Sequence, residues 1–387
     1  MSVVFADGFL ANGVASGIKE SGALDLCIVV SKDARPIQCF ATFTQNKAAA
    51  APVVLSRDHL GSTGNRAVAW LLSSGNANAA TGQRGLSDAY ALCQAVAAEL
   101  SVEVEQVGIC AAGLIGIYMP IERPLAKISE LLSDVSSDEA HGALAAEAIR
   151  TTDTFAKFAT YQGNGYRIGA MAKGAAMISP NMATMLAVIT TDADVDDQRL
   201  SRALARAVSM SFNRLSIDGC TSTNDTVVVM SSGLYPPDDH FEEGMLQVCQ
   251  SLADQIALDA EGATKLARIE VQGAASEDEA VAGARKIAES QLVKCSLYGK
   301  DPYWGRVASE LGSSGIDFDL GKLSVWYQGI EVARGGVSRS YDGAELERLL
   351  EDKEIKVRVD LGIGHGSALV TTTDLGPGYI DENMTTS

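Results

Sequence analysis

The 387-residue sequence predicts a mixed α/β fold, of the α+β kind, built as one large domain or two. Apolar residues recur at helical spacing in several stretches, whereas other short runs are rich in β-branched residues and bounded by turns, as strands are. The two kinds of stretch mix along the chain without strict β-α-β alternation, so the pattern indicates a mixed class. A hydrophobic fraction of 47% and a charged fraction of 21% provide for a large core.

The chain opens with short strands and turns, which are predicted for residues 1–60 as a whole. Residues 16–31 place a polar turn before an apolar strand, and residues 39–45 form a second strand candidate. Residues 67–75 form a third, which runs into a Gly-Asn loop.

The pattern then changes to helical spacing. Ser87 is a plausible N-cap, and the apolar residues after it share one helical face. A strand over 106–112 leads to Gly113, and a second helix, opened by Ser137, fits about 137–149. The shared face of the first helix consists of Ala89, Leu92, Cys93, Val96, Ala97 and Leu100.

The segment from Lys173 to Asp192 carries the most informative pattern. Ser179, Pro180 and Asn181 predict a turn, and the apolar, β-branched run from Met185 to Thr191 predicts a buried strand. Thr184 is therefore expected at the mouth of a strand, directly after a loop.

The second half continues the mixture. Amphipathic helices are predicted around 200–208, 245–256 and 277–290, and a strand is predicted over 226–233. Residues 267–272 alternate as a half-exposed strand does. Further strands are expected in a hairpin over 323–333, turning at Gln328-Gly329, and in the alternating run 355–361.

Composition and charge exclude several classes of protein. The net charge of −18 argues against a nucleic-acid partner, because phosphate binding needs a basic face. No run approaches the roughly 18 apolar residues of a membrane span, and the N-terminus shows no secretion signal, so a cytoplasmic protein is expected. Seven cysteines form no CxxC and the four histidines no cluster, so we expect reduced, mostly buried thiols and no metal.

The position of Thr184 suits self-cleavage. A threonine hydroxyl there can attack the preceding carbonyl, so that the chain is cut between Ala183 and Thr184. The freed α-amino group titrates near pH ~8 and can then serve as base for the hydroxyl. The competing interpretation is a core strand with an ordinary threonine at its start.

The segment K-G-x-x-M-I-x-P-N-M-A-T-M-L-A-x-x-T-T-D-A resembles the self-cleavage segment of the ornithine acetyltransferase (glutamate N-acetyltransferase) family. Further blocks resemble that family in order and span nearly the whole chain. They are NKAAAAPVV (46–54), SGNANAATG (74–82), MP (119–120), TTDT (151–154), DGCTSTNDT (218–226), EGATK (261–265) and DPYWGRV (301–307).

The resemblance implies an architecture. It implies two stacked β-sheets between helix layers, as in N-terminal-nucleophile-like enzymes, with a smaller C-terminal lobe. It also implies that self-cleavage yields an α fragment, 1–183, and a β fragment, 184–387. Both halves together would form one catalytic unit, assembled as α2β2.

The resemblance also implies site residues. Thr184 is the nucleophile, and Lys173 holds the α-carboxylate of the substrate. Glu261 contacts the substrate amine or handles a proton. One of Thr151 and Thr152 binds substrate, and the sequence leaves open which.

The end of the chain resembles a Tyr-x-x-x-Asn tail that reaches the substrate. Tyr379 and Asn383 fit that spacing. The final hydroxyl of related chains usually comes five residues after the Asn, whereas Ser387 comes four after Asn383. The competing interpretation for both Asn383 and Ser387 is a frayed terminus.

One departure from the family pattern bears on the chemistry. The family has Ser-Thr-Gly-Val-Ile-Gly where this chain has CAAGLIG, so Ala112 replaces a threonine whose hydroxyl forms the oxyanion hole with the N–H of the glycine, here Gly113. A lost oxyanion donor typically costs ~10²–10³ in rate. Water or another side chain could replace it, the acyl substrate could differ, or activity could be weak or absent. Cys220, Tyr303 and Gln291 are further departures.

The function expected from this resemblance is ping-pong transfer of acetyl from N-acetylornithine to glutamate, in the cyclic route of arginine biosynthesis. No cofactor is required, and use of acetyl-CoA as a co-substrate stays open. The alternatives are an N-terminal-nucleophile hydrolase, a divergent enzyme acting on another N-acyl amino acid in specialised metabolism, and a non-catalytic paralogue.

Overall fold

The computed structural model describes residues 2–178 and 185–384. The predictions for Ala183, Thr184 and Ser387 therefore fall outside the described residues. The chain divides into two compact units. The first contains residues 2–178, 185–213 and 221–256, and the second contains 214–220 and 257–384. The boundaries of these units do not coincide with the proposed cleavage position, which lies within the sequence range of the first unit.

The first unit alternates helices and strands irregularly, as the sequence predicts. Its elements are β1 (Phe9–Val14), β2 (Leu26–Ser31), β3 (Ile37–Phe43), α1 (Ala51–Ser62), β4 (Arg66–Ala67), β5 (Ala69–Asn76), α2 (Gly82–Leu100), β6 (Val107–Leu114), α3 (Glu122–Leu125), α4 (Ile128–Ser133), α5 (Glu139–Ala148), β7 (Lys157–Gln162), β8 (Arg167–Lys173), β9 (Leu186–Ala193), α6 (Asp197–Met210), β10 (Thr226–Tyr235) and α7 (Phe241–Leu258).

Two sheets stack in this unit. A four-stranded sheet has the order β1-β2-β5-β6, and a six-stranded sheet has the order β4-β3-β10-β9-β8-β7. Among the described strands of these two sheets, only the β5–β6 and β9–β10 pairs are parallel. Helix α2 covers the outer face of the smaller sheet, and α6 packs on β3 of the larger one. The layer between the sheets is apolar and includes Phe9, Val29, Trp70, Leu72, Met171, Val188, Val228 and Met230.

The second unit has a sheet and a core of its own. Its six-stranded sheet has the order β14-β13-β12-β15-β11-β16. The elements are β11 (Leu266–Ala274), α8 (Glu277–Ala288), α9 (Gln291–Tyr298), α10 (Trp304–Gly312), β12 (Ser324–Tyr327), β13 (Ile330–Arg334), β14 (Val337–Ser338), α11 (Gly343–Leu349), β15 (Glu354–Asp360), β16 (Gly366–Thr373) and α12 (Pro377–Glu382).

The mixed α/β class, the two stacked sheets and the separate C-terminal unit are thus confirmed. Most individual elements are confirmed as well, including the hairpin at Gln328-Gly329, where both residues have positive φ of 49° and 83°. The alternating strand β15 buries every second residue. Of the seven cysteines, Cys220 and Cys295 are exposed and the other five are buried.

Two predicted helix starts are wrong. Helix α2 begins at Gly82, so Ser87 lies inside it and donates its hydroxyl to the Gln83 carbonyl instead of capping the helix. Helix α5 begins after Asp138, not Ser137.

Helix α1 was not expected within 1–60. Its inward face includes Ser56 and His59, which hydrogen-bond the carbonyls of Ile109 and Val107, so polar residues interrupt its apolar periodicity.

No helix in 2–178 or 185–384 is long and apolar enough to cross a membrane. The same residues contain no group of three or more His, Cys, Asp or Glu side chains arranged to hold a metal ion.

Candidate active site

The candidate site of the first unit lies at one edge of the six-stranded sheet. Lys173 at the end of β8 pairs with Leu186 at the start of β9, and Leu186 pairs with Thr226 at the start of β10. Gly174, Met185 and Asp225 come next to these residues along the chain and continue the same edge. Thr184 is covalently joined to Met185, so the predicted strand directly downstream of Thr184 is present.

Asp153 is the buried anion of this edge. Its Oδ1 accepts hydrogen bonds from the Lys157 ammonium at 2.6 Å and from the Gly174 N–H at 2.7 Å. The side chains of Asp153 and Lys157 are both 0% exposed. Burial pushes the pKa of the Asp153 carboxyl upward, but the positive charges of Lys173 and Lys157 and the Gly174 N–H outweigh it and hold that pKa below its usual range.

Lys173 itself is only 9% exposed, so it is not a solvated surface lysine. Its backbone is fixed on both sides, by the ladder with Leu186 and by the bond from Gly174 to Asp153. A fixed ammonium in a partly dry setting favours a carboxylate ligand. The structure therefore fixes the backbone of Lys173 and keeps its side chain largely away from solvent.

The two candidate threonines differ in their contacts. The Thr151 N–H donates to Oδ2 of Asp153 at 3.0 Å, and its hydroxyl lies 3.5 Å from the same oxygen. Thr152 is exposed. The structure thus joins Thr151 to the carboxylate that also anchors Gly174, which follows Lys173.

The oxyanion positions lie at the end of β6. Gly113 has φ of +132°, and a Cβ on it would come within 2.3 Å of the Gly75 carbonyl carbon and 2.5 Å of the Asn76 nitrogen. Only glycine fits there. Ala112 is buried and its methyl belongs to the apolar layer between the sheets, so this position has no side-chain hydrogen-bond donor.

Asn224 connects the two sheet edges. Its amide donates to the carbonyls of Ala77 at 2.6 Å and Ala111 at 2.9 Å. The residue after it, Asp225, accepts a backbone hydrogen bond from Thr44 at 2.9 Å. The end of β6 and the start of β10 are therefore held together by hydrogen bonds.

Asp225 was missed as a functional candidate, although it belongs to the quoted block DGCTSTNDT. It is 2% exposed, and burial raises the pKa of its carboxyl well above the usual range. The Met185 N–H, the Ser222 hydroxyl and the charge of Lys173 act in the opposite direction and do not offset burial. Spacing could not have found it, because nothing in the sequence marks which aspartate of a loop becomes buried.

In the second unit, Glu261 and Asn383 are in contact. The Asn383 amide donates to Glu261 Oε2 at 2.9 Å and to the Tyr379 carbonyl at 2.9 Å. Gly262 also packs on the backbone of α12, where a Cβ would come within 2.0 Å of the Tyr379 nitrogen. Asn383 is therefore anchored and the frayed-tail interpretation is wrong for it.

Tyr379 completes this group. Its hydroxyl lies 3.4 Å from Asp218 Oδ2. Burial and the negative charges of Asp218 and Glu261 raise the pKa of Tyr379 to about 12. The phenol therefore stays protonated and can donate at neutral pH.

Three comparisons with known proteins place the chain among its relatives. The model of the ArgJ family matches residues 10–386. The arginine biosynthesis bifunctional protein ArgJ of Thermobifida fusca is 44% identical over 386 residues, which is 99% of each chain. The protein of the same name from Mycobacterium tuberculosis (strain H37Rv) is 43% identical over 385 residues, 97% of this chain and 94% of the relative.

The chain is also similar to proteins of solved structure. The arginine biosynthesis bifunctional protein argJ of Bacillus halodurans is 36% identical, with a TM-score of 0.48, over 50% of this chain and 96% of that one. The ornithine acetyltransferase of Mycobacterium tuberculosis, complexed with ornithine, is 35% identical, with a TM-score of 0.41, over 46% of this chain and 95% of that one.

Proposed function

The chain belongs to the ArgJ family, and we propose from this membership that it is an acetyltransferase that moves acetyl from N-acetylornithine to glutamate. The observation that carries the proposal is the placement of Lys173. It lies in a partly dry setting beside the buried Asp153 and pairs with Leu186, two residues after Thr184. A cation for an amino-acid carboxylate thus accompanies the proposed nucleophile.

Thr184 is proposed to act twice. In self-cleavage its hydroxyl attacks the Ala183 carbonyl carbon, the C–N bond breaks, and water then hydrolyses the resulting ester. The α-amine so released accepts the hydroxyl proton when Thr184 attacks the acetyl group of N-acetylornithine. Ornithine leaves with that proton on its amine. Glutamate then attacks the acetyl-threonine through its amino nitrogen and departs as N-acetylglutamate.

The substrate is proposed to be held by its charged ends. Lys173 binds the α-carboxylate, and Thr151 is preferred over Thr152 as the threonine ligand, because Thr151 shares Asp153 with Gly174. Glu261 is assigned to the substrate amine or to proton handling. Asn383 orients Glu261 through their hydrogen bond, and Ser387 is kept as the terminal ligand that the family pattern suggests.

The oxyanion of each tetrahedral intermediate needs a donor. The backbone N–H of Gly113 is proposed for this role. Its direction is set by a φ of +132°, a conformation that only glycine tolerates at this position. Ala112 contributes no hydroxyl. We therefore expect acyl transfer to be slower than in an enzyme that has a Thr-Gly pair at these two positions.

Assembly and setting complete the proposal. The two fragments 1–183 and 184–387 assemble as α2β2 in the cytoplasm, and acetyl transfer requires no cofactor. Acetyl-CoA is retained only as a second acetyl donor to be tested.

The test is a single incubation with matched controls. The purified protein is analysed by denaturing electrophoresis and N-terminal sequencing, and then incubated with N-acetylornithine and glutamate, with and without acetyl-CoA. We expect two fragments, a second N-terminus at Thr184, and N-acetylglutamate as product. Thr184→Ala is expected to stay whole and inactive.

Three other outcomes would contradict different parts of the proposal. Acetate released at the same rate without glutamate would indicate a hydrolase. An uncleaved wild-type chain that still transfers acetyl would contradict the role of the α-amine. A cleaved, folded protein that leaves N-acetylornithine and glutamate unchanged would show that the proposed acetyl transfer is wrong.

Ala112 favours one second candidate, an enzyme for a bulkier acyl group. If the missing hydroxyl only slows acetyl transfer, Ala112→Thr should raise kcat by less than the ~10²–10³ worth of one oxyanion donor. If the space serves a longer acyl chain, the variant should instead lose activity on longer N-acyl ornithines. Measuring kcat/KM for N-acetylornithine and for its longer homologues in both proteins separates the two functions.

A further inference from the structure

Asn224 is a buried amide, 5% exposed, whose hydrogen bonds reach two other segments of the first unit. Its side-chain nitrogen donates to the carbonyls of Ala77 at 2.6 Å and Ala111 at 2.9 Å. Its side-chain oxygen accepts from the Thr223 hydroxyl at 2.6 Å. Because carbonyl oxygens only accept, the nitrogen has to face them, and the amide has a single orientation.

Ala111 lies on the outer edge of its sheet. β6 is the last strand in the order β1-β2-β5-β6, and the backbone groups of a strand point alternately to its two sides. Side chains bond the outward carbonyls of β6 in a row, which consists of Val107 with His59 at 2.8 Å, Ile109 with Ser56 at 2.7 Å and Ala111 with Asn224 at 2.9 Å. Gly113 is the next residue of this outward row, two residues after the carbonyl that Asn224 holds.

Asn224 also acts on the far side of Gly113. The Ala77 N–H donates to the Leu114 carbonyl at 2.9 Å, and Ala77 is the second residue that the Asn224 amide bonds. The register between β5 and β6 shifts at this point, so the ladder alone does not define the backbone there. Gly113 is therefore bracketed by Ala111 and Leu114, both of which are tied to Asn224.

We infer that Asn224 is a positioning residue for acyl transfer, which aligns the Gly113 N–H with the oxyanion of the tetrahedral intermediate. This inference rests on the proposed function and adds a residue to it. Asn224 itself does not bind substrate, because both of its amide hydrogens are already used. Without the amide, the peptide units on either side of Gly113 lose their anchor. A displacement of about 1 Å in a catalytic group can cost ~10² in rate.

The loss has a defined kinetic form. An oxyanion develops in both half-reactions, when acetyl moves to the enzyme and when it leaves for glutamate. A misaligned donor slows both, so kcat falls while KM stays nearly constant. The loss of a substrate contact would instead raise KM.

The experiment compares wild type, Asn224→Ala and Ser56→Ala. Ser56→Ala is the matched control, because Ser56 is also buried and its hydroxyl bonds both the carbonyl and the N–H of Ile109, four residues before Gly113 in the same row. Steady-state acetyl transfer from N-acetylornithine to glutamate is measured per cleaved protein, which denaturing electrophoresis quantifies. Thermal unfolding is measured on each variant.

We expect Asn224→Ala to lower kcat by about 10²-fold at nearly unchanged KM. Ser56→Ala should keep both constants, although both variants should unfold at a lower temperature because each leaves buried backbone groups unpaired. A wild-type kcat in folded Asn224→Ala, an equal fall in kcat in both variants, or a rise in KM alone would overturn the inference while leaving acetyl transfer intact.

A double variant tests whether Asn224 acts through Gly113. Gly113→Ala already turns the proposed donor away, so Asn224→Ala added to it should slow kcat no further. A further fall as large as that of Asn224→Ala alone would show that Asn224 acts elsewhere, and the inference would be wrong.

Thr223→Val decides the question if Asn224→Ala is unfolded or uncut. It keeps the shape of the side chain and removes only the hydroxyl that orients the Asn224 amide. We expect a severalfold fall in kcat at unchanged KM, and a wild-type kcat in the folded, cut variant would overturn the inference. A cleaved, folded wild-type protein that transfers no acetyl would instead contradict the proposed function, and this inference with it.

Discussion

At the scale of single residues, the carboxylate of Asp153 organises the proposed substrate-binding group. Lys157, Gly174 and Thr151 all donate to it, and Lys173 acts on it through its charge. A buried charge is expensive unless it is paired and hydrogen-bonded, and this one is both. Its loss should therefore affect stability and substrate binding together, whereas the loss of Lys173 should affect mainly binding.

Lys173→Ala is expected to raise KM for both N-acetylornithine and glutamate more than it lowers kcat. A cation that holds a carboxylate away from the reacting carbonyl stabilises the ground and transition states alike. Steady-state kinetics with each substrate measures this. Lys127→Ala, which removes an exposed lysine from a surface ion pair with Glu130, is the control and should change neither constant.

A thousandfold fall in kcat at unchanged KM would show that Lys173 acts in the chemical step. The carboxylate-binding role would then be wrong.

Asp153→Asn is expected to lower the free energy of unfolding by about 3–5 kcal/mol, because it leaves the buried Lys157 charge without its anion. Urea denaturation of the Thr184→Ala form, which removes any effect of cleavage, provides the measurement. Asp197→Asn is the control, since its ion pair with Arg66 is exposed and surface pairs contribute ~1 kcal/mol or less.

Adding Lys157→Met to Asp153→Asn should recover part of that loss, because the stranded charge is then gone. An Asp153→Asn protein as stable as wild type would contradict the assigned pairing.

The contribution of Asp153 to stability should depend on pH in one direction. Its pKa is lowered in the folded protein, so the contribution is fully present above the unfolded value of about 3.9 and is lost as pH falls through the folded value. The difference in unfolding free energy between wild type and Asp153→Asn should be constant from neutral pH down to about pH 5 and shrink below about pH 4. A difference that changes around neutral pH would assign the effect to another group.

At the scale of elements, the ends of strands build the site. β6 ends at the oxyanion positions, β8 ends at Lys173, and β9 and β10 begin beside Met185 and Asp225. Strand interiors use their backbone groups in the ladder, so backbone donors are available for a ligand where pairing stops. β5 and β6 approach each other closely at Gly113, where an added Cβ would come within 2.3 Å of the Gly75 carbonyl carbon.

Gly113→Ala is expected to lower kcat/KM by about 10²-fold or more, because the added Cβ collides with Gly75 and Asn76 and turns the proposed oxyanion donor away. Gly116→Ala is the matched control. Gly116 also has a positive φ, of +80°, but no atom lies within 4 Å of its added Cβ. Steady-state kinetics together with thermal unfolding of both variants makes the comparison.

Both substitutions carry the cost of alanine at positive φ, but only Gly113→Ala also introduces the collision. Equal activity in the two variants would exclude Gly113 from the oxyanion site.

At the scale of the whole chain, the six-stranded sheet of the first unit joins both proposed fragments. In the order β4-β3-β10-β9-β8-β7, β9 and β10 come from 184–387 and the other four strands from 1–183. β10 pairs with β3 on one side and β9 pairs with β8 on the other. Cutting one peptide bond leaves both ladders and the apolar layer between the sheets intact.

The two fragments are therefore expected to stay together after cleavage. They should co-elute in size-exclusion chromatography at neutral pH and separate only in denaturant. Native mass spectrometry then gives the stoichiometry, for which α2β2 is proposed. Fragments that separate without denaturant would contradict the interleaved sheet.

The sequence by itself determined the mixed class, most elements and the position of the proposed nucleophile. Periodicity reports which face of a helix or strand is buried, and this is a local property. It failed at α1, where Ser56 and His59 face inward to bond backbone carbonyls. It also failed at Ser87, because a serine's capping role depends on where the helix begins and not on the serine alone.

Only the tertiary structure decided how the site residues are grouped and charged. Asp153 and Lys173 are twenty residues apart in the chain, and Glu261 and Asn383 are separated by 122, so no spacing rule joins either pair. The same holds for Asp225. Burial raises the pKa of its carboxyl well above the usual range, and burial belongs to the packing of distant segments, not to a motif.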